Sequence, residues 1–173
     1  KVAGFAFSPR TERLITSEPR NGEKIPVHVA THVAGALAFQ KGAIVQVGMS
    51  FDVAGHKHVP LELYGTDGTL LVPDPNHFGG EVQLLKKGGE FEIQELSSPY
   101  ADGNYRSIGV ADMAHAIRSN RQHRANGDLA LHVLEVMEAF QTASDTGTTV
   151  SITTVVDRPA PLAESLVDGR IGQ

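Results

Sequence analysis

Four glycine-bearing turn signals fall within residues 1–96: Asn21-Gly22, Lys41-Gly42, Asp67-Gly68 and Lys87-Gly88-Gly89. Each lies between apolar or alternating segments and puts glycine where a tight reversal needs positive φ. Signals this closely spaced imply an antiparallel meander. The clearest hairpin joins residues 33–39 to 43–51. Val33, Leu37 and Phe39 share one side of its first strand, while Ala34, Ala36 and Ala38 share the other. The bulky side gives a helix layer something to pack on, and the flat small-residue side suits a second sheet or a ligand. A sheet covered on one face only is therefore expected. Leu61–Tyr64 with Thr69–Val72, and Glu81–Leu85 with Phe91–Leu96, make two further hairpins. Pro73-Asp74-Pro75 closes the first of these with stiff, non-helical chain.

The rhythm then changes. Val110, Met113, Ala114 and Ile117 recur at helical spacing, and Leu129, Val133, Val136, Met137 and Phe140 repeat it over a longer stretch. Asn126 is placed to cap the second helix, and Gly147 to end it. Val150–Thr154 reads as a short final strand, after which Arg158-Pro159-Ala160-Pro161 opens an extended tail. The fold class that follows is α+β in two layers: an open, mainly antiparallel sheet with helices on one face. One domain over residues 1–162 and a tail over 163–173 are expected.

Composition narrows the function classes. Hydrophobic residues make up 40% and charged residues 20% of the 173, a soluble globular balance with enough apolar material for one core. The longest uncharged apolar runs fall far short of the roughly 20 residues a membrane helix needs. The net charge of −5 contains no long run of one sign, so neither nucleic acid nor anionic lipid is indicated, and small molecules and protein partners are left. With no cysteine, disulfides, thiolate metal sites and cysteine nucleophiles are excluded, and a reducing, cytoplasmic setting is expected. The first seven residues lack a signal-peptide pattern. A chain that opens on Lys1 and moves straight into a strand is expected to be a piece of something longer.

Candidate chemistry is sparse. His56 with His58, and His28 with His32, invite a metal reading, but each pair lacks a third ligand and the helical i, i+4 spacing of zinc enzymes. No metal site is expected. Gly48-Met49-Ser50-Phe51-Asp52 half resembles a nucleophile elbow, yet it has no second glycine and sits within a strand. Neither a dinucleotide fingerprint nor a phosphate loop is present. Arg118, Arg121, His123 and Arg124 gather where the first helix ends; a solvated terminus complementing the helix dipole explains them, and an anion contact is the functional alternative. Asn104, Tyr105 and Arg106, just before that helix, form a polar loop of the kind that meets polar ligands, and a solvated connection accounts for them equally. His77, in the turn Asn76-His77-Phe78-Gly79-Gly80, has the same two explanations. His77, Asn104, Tyr105 and Arg106 are the candidate substrate-binding residues, and no catalytic residue is assigned.

The order of the pieces resembles a known family. Thr31-His32-Val33-Ala34-Gly35, Ser50-Phe51-Asp52, Tyr64-Gly65-Thr66-Asp67-Gly68-Thr69-Leu70, Pro73-Asp74-Pro75-Asn76 with Phe78-Gly79-Gly80, and Gly109-Val110-Ala111-Asp112-Met113-Ala114 follow one another as in the second domain of Gfo/Idh/MocA oxidoreductases. His123-Arg124-Ala125-Asn126-Gly127 through Met137 fits the same pattern. The resemblance implies a dihydrodipicolinate-reductase-like second domain whose sheet face often pairs subunits. It also implies a parent enzyme whose N-terminal Rossmann domain binds NAD or NADP and exchanges hydride with a sugar, cyclitol or related carbonyl. The family's Glu-Lys-Pro motif and the aspartate-bearing helix that follows it match nothing here. The chain alone is accordingly expected to bind no cofactor and to be inactive, with the missing Rossmann domain, a small-molecule substrate and a second copy of itself as partners. A standalone ligand-binding or dimerisation module is the alternative.

Overall fold

The structure is a computed structural model that describes residues 1–163 other than Ser98 and Asp102, so nearly all of the expected tail lies outside the described residues. The chain divides into two compact units. Lys1–Gly55 with Gly127–Asp157 form the first; His56–Asn126 form the second, with Arg158 and the described residues after it.

In the first unit, β1 (Val2–Phe7), β4 (His32–Ala38) and β5 (Ile44–Ser50) pair antiparallel in the order β1-β4-β5. A separate ladder pairs β2 (Glu12–Leu14) with β3 (Lys24–Pro26) across the Gly22 turn. The 20-residue helix α2 (Gly127–Thr146) lies against the three-stranded sheet, and Val2, Ala139 and Phe140 are buried between them. Val33, Leu37 and Val47 pack on that cluster from the sheet, as the alternation in β4 predicts. Phe39, expected on the same side, falls one residue past β4 in the hairpin turn, where its N–H donates to Ala43 O at 2.9 Å, and its side chain is exposed.

One detail of register positions the helix. Gly4 of β1 stands opposite Gly35 of β4, and the Phe140 ring fills the hollow the pair leaves. A Cβ on Gly4 would lie 2.6 Å from Phe140 Cδ1, and one on Gly35 would lie 2.7 Å from Cε1. Both glycines are therefore used for close approach of a ring to the backbone rather than for a turn. Burying a Phe side chain stabilises by about 1.5–3 kcal/mol, so this seat anchors the unit.

The opposite face of the sheet is open. Alanines 34, 36 and 38 lie on it as expected, but the register adds Phe5 opposite Ala34, Phe7 opposite His32 and Ile44 opposite Ala38. Phe5 and Ile44 are 78% and 76% exposed. The face thus carries aromatic and aliphatic projections beside the polar His32, Gln46 and Ser50, and is not uniformly small.

The final strand expected over Val150–Thr154 is reduced to one antiparallel bridge, Val2 with Val150, closed by bonds of 2.8 and 2.9 Å. Beyond it the Glu135 carboxylate takes the donors that a neighbouring strand would have taken. It accepts from Thr153 N at 2.8 Å, Thr154 N at 2.9 Å, Thr153 Oγ1 at 2.7 Å and the Thr154 hydroxyl. These bonds, led by the Thr154 hydroxyl, hold the Glu135 carboxyl down at about 2.

The second unit contains an antiparallel four-stranded meander, β6 (Leu61–Tyr64), β7 (Gly68–Val72), β8 (Val82–Lys86) and β9 (Phe91–Gln94), in sequential order. Gly68, expected in a turn, is the first residue of β7; a Cβ there would stand 2.2 Å from Leu85 O, so close strand approach is what demands glycine. In α1 (Ile108–Ser119) the expected apolar rhythm faces outward: Val110 and Ile117 are 70% and 74% exposed, while Asp112 and Ala116 are buried. Every strand pair described is antiparallel, both main sheets are open, and two helices complete the α+β arrangement. Among the described residues no helix is long and apolar enough to cross a membrane.

Candidate functional site

The basic cluster after α1 owes its place to an acid that the sequence pattern hides. Asp112 Oδ1 accepts from Arg121 Nη2 at 2.6 Å and Arg124 Nη1 at 2.5 Å, and Oδ2 accepts from the Arg124 N–H at 2.8 Å. Burial pushes the Asp112 carboxyl up, but the bonds from Arg121 and Arg124 outweigh it and hold the group below its ordinary value. Arg124 also donates to Ala160 O at 2.8 Å and Pro161 O at 3.1 Å. The anion for Arg121 and Arg124 is thus internal, and only Arg118 is the exposed cation that a solvated helix terminus presents.

The other polar candidates converge. The loop between β7 and β8 and the loop before α1 enclose an open cavity of about 480 Å³ lined by Asn76, His77, Phe78, Gly79, Gly80, Ala101, Gly103, Asn104 and Arg106. Local chemistry shapes both loops. Asp74 Oδ1 accepts from Asn76 N at 2.8 Å and Asp74 O from His77 N at 3.1 Å, which turns His77 outward after the proline pair. Gly80, at φ +125°, lies so close to the Pro73 ring that a Cβ would meet it at 2.5 Å. On the other loop Asn104 Oδ1 accepts from Arg106 N at 3.3 Å. Arg106 Nη2 then reaches across to Asn76, donating to its backbone O at 3.0 Å and its Oδ1 at 2.8 Å.

Tyr105 does not line the cavity. Its ring stands edge-on to Phe78 at 5.6 Å and to the buried Tyr100 at 4.9 Å, so it supports the wall from behind. Such edge-to-face pairs contribute about 0.5–1.5 kcal/mol each beyond area burial. Three of the four candidate residues, His77, Asn104 and Arg106, therefore share one cavity, and the fourth packs beneath it. Asn76, which carries the bridge between the loops, was not singled out from the sequence; the signal was the Asp-Pro-Asn run, an Asx-turn pattern that fixes where the asparagine points.

His56 and His58 stack at 6.2 Å, and among the described residues no group of three His, Asp or Glu could hold a metal ion. Ser50 ends β5 and its Oγ accepts from Asp52 N at 3.0 Å, with no helix following. All strand pairs among the described residues are antiparallel, so none of them forms the parallel strand-to-helix turn on which a Rossmann fold seats a pyrophosphate.

No protein-family model and no curated protein matches the sequence. Solved structures do. Levoglucosan dehydrogenase in complex with NADH and L-sorbose superimposes with a TM-score of 0.68 at 18% identity, over 88% of this chain and 45% of that one. An oxidoreductase domain protein from Kribbella flavida gives 0.68 at 18% over 88% and 44%, and an NAD binding oxidoreductase from Klebsiella pneumoniae 0.67 at 21% over 88% and 45%. The chain spans less than half the length of these structures. It therefore has the fold of somewhat under half of a levoglucosan-dehydrogenase-type oxidoreductase, the architecture that the resemblance to Gfo/Idh/MocA enzymes implies.

Proposed function

We propose that this chain is the C-terminal, substrate-side and oligomerisation domain of a cytoplasmic, NAD- or NADP-dependent oxidoreductase acting on a sugar, cyclitol or related carbonyl compound. The observation that carries the proposal is the likeness over 88% of this chain to under half of levoglucosan dehydrogenase, a structure that holds NADH and L-sorbose. In this reading the nicotinamide cofactor, which supplies the hydride chemistry, is held by a Rossmann domain that precedes this chain in the parent, and the proton-transfer groups lie in that domain and on the aspartate-bearing helix that follows it. The cavity beside Arg106 supplies substrate contacts, and the chain alone turns nothing over. Copies pair through the open face that carries Phe5, Phe7 and Ile44, since large apolar side chains exposed together in this way are unusual on a monomer.

Translating the genomic DNA upstream of Lys1 in frame tests the proposal. A further domain with a glycine-rich dinucleotide loop and a Glu-Lys-Pro motif is expected. A start codon close to Lys1 would overturn the proposal in favour of a self-contained binding module. Titration of the chain with NADH is expected to give no saturable fluorescence change; a saturable one would place a cofactor site here and contradict the assignment.

A further inference from the structure

We infer that the cavity beside Arg106 takes an anionic polyhydroxylated substrate, a sugar acid or sugar phosphate, seated by its oxyanion on the guanidinium. The inference rests on the substrate-side reading above and goes further by naming the charge and the group that is recognised. Arg106 is held by one nitrogen only: Nη2 donates to Asn76 O and Oδ1, which orients the planar group and leaves Nη1 and Nε without a bond among the described residues. None of the ion pairs among those residues includes Arg106. An oriented guanidinium outside every ion pair among the described residues, with N–H groups of Nη1 and Nε still to offer, suits an anionic acceptor such as a carboxylate or phosphate.

The neighbouring amides point the same way. Asn76 Oδ1 is taken by Arg106 Nη2, and Asn104 Oδ1 by the Arg106 N–H. With both side-chain oxygens engaged internally, each amide has its Nδ2 donors left to offer. Among the described residues lining the cavity none is Asp or Glu. The donors of Asn76, Asn104 and Arg106 along this wall suit a ligand rich in acceptors. Phe78 supplies a phenyl face suited to the C–H side of a sugar, and about 480 Å³ falls in the range of about 300–1,000 Å³ typical of small-ligand sites.

The test uses the whole chain, nitrogen-15 labelled, titrated at constant ionic strength with D-gluconate, D-glucose 6-phosphate and neutral D-glucose. One or both anions are expected to shift the amides of Gly79, Gly80 and Gly103 and the Arg106 Nε–H, and to bind at least about tenfold more tightly than glucose. The tighter of the two identifies carboxylate or phosphate as the recognised group. Arg106→Gln should abolish the preference for anions, and Arg106→Lys, which keeps the charge without the oriented planar donor set, should restore only part of it; dispersed spectra of both variants show that they fold. Equal affinity for all three sugars, or a preference surviving in folded Arg106→Gln, overturns the inference while leaving the substrate-side reading standing. Absence of shifts at the cavity with every sugar overturns both.

Discussion

The Gly4–Gly35–Phe140 seat makes a sharp stability prediction because the two glycines are crowded by different atoms. Gly4→Ala would bring a Cβ to 2.6 and 3.3 Å from the Phe140 ring, with only Ala34 O, at 3.1 Å, as a close backbone neighbour. Gly35→Ala would bring one to 2.2 Å from Ala3 O and 2.7 Å from Gly4 Cα as well as 2.7 Å from the ring. The first clash is with a side chain and the second is mostly with the partner strand. Overpacking of this kind costs about 1–3 kcal/mol, so Gly4→Ala should fall in that range and Gly35→Ala at or above its upper end. Phe140→Leu shortens the ring contact. In that background Gly4→Ala should cost less than about 0.5 kcal/mol, because removing backbone freedom from the unfolded chain offsets part of the strain by about 0.4–1 kcal/mol. The coupling between positions 4 and 140 is then at least about 0.5–2.5 kcal/mol, within the range for residues in contact. Gly35→Ala should keep most of its cost, since no change at 140 moves Ala3 O. Urea unfolding followed by far-ultraviolet circular dichroism checks this, since the 20-residue α2 supplies most of the helical signal. The slope should be unchanged across the set. Equal cost for Gly4→Ala in both backgrounds, or full rescue of Gly35→Ala by Phe140→Leu, would refute the assignment of the clashes.

Further outcomes follow from individual contacts. Glu135 is held at about 2 against an ordinary 4.5, so its clasp on Thr153 and Thr154 contributes stability that is present above about 4.5 and lost as pH falls through about 2. The amide shifts of Thr153 and Thr154 should stay flat from neutral pH down to about 3.5, and a midpoint near 4.5 would contradict the clasp. Asp112→Asn leaves Arg121 and Arg124 facing a neutral amide. Because both arginines are partly exposed, about 1–3 kcal/mol of destabilisation is expected, and a thermal midpoint equal to that of the unchanged chain would refute it. On the proposed pairing through the open face, the unchanged chain should scatter light as a pair of copies, and replacing Phe5 and Phe7 by lysine should leave the core intact and give an 18.5 kDa species. A pair that survives both changes would place the contact elsewhere.

Much of the strand layout could be read directly. Local chemistry carried it: Gly42 and Gly88 take the positive φ their turns need, and Val33 and Leu37 alternate toward the helix as a pleated strand requires. The helices were legible in extent, but their inward faces were not. Hydrophobic periodicity says that a stripe exists, not what it meets, and in α1 the buried stripe is Asp112 and Ala116 while Val110 and Ile117 face outward. Asp112 is inside because two arginines from the following loop supply its bonds, a match between residues 9 and 12 positions apart that no local pattern records. Likewise Val150–Thr154 has strand-like residues but is held chiefly by Glu135, whose carboxylate replaces a neighbouring strand.

The same division runs through the candidate site. Sequence determined that His77 lies in a proline-bounded turn and that Asn104, Tyr105 and Arg106 lead into a helix, because proline geometry and side-chain capping act within a few residues. Only tertiary structure decided that Arg106, 30 positions away in sequence, bridges to Asn76 and closes the two loops around one cavity, and that Tyr105 supports the wall instead of lining it. Tertiary structure likewise decided that Gly4 and Gly35 meet under a phenylalanine of α2. Turns and periodicity are short-range consequences of backbone sterics, whereas ion pairs, ring seats and cavities depend on which distant segments the fold brings together.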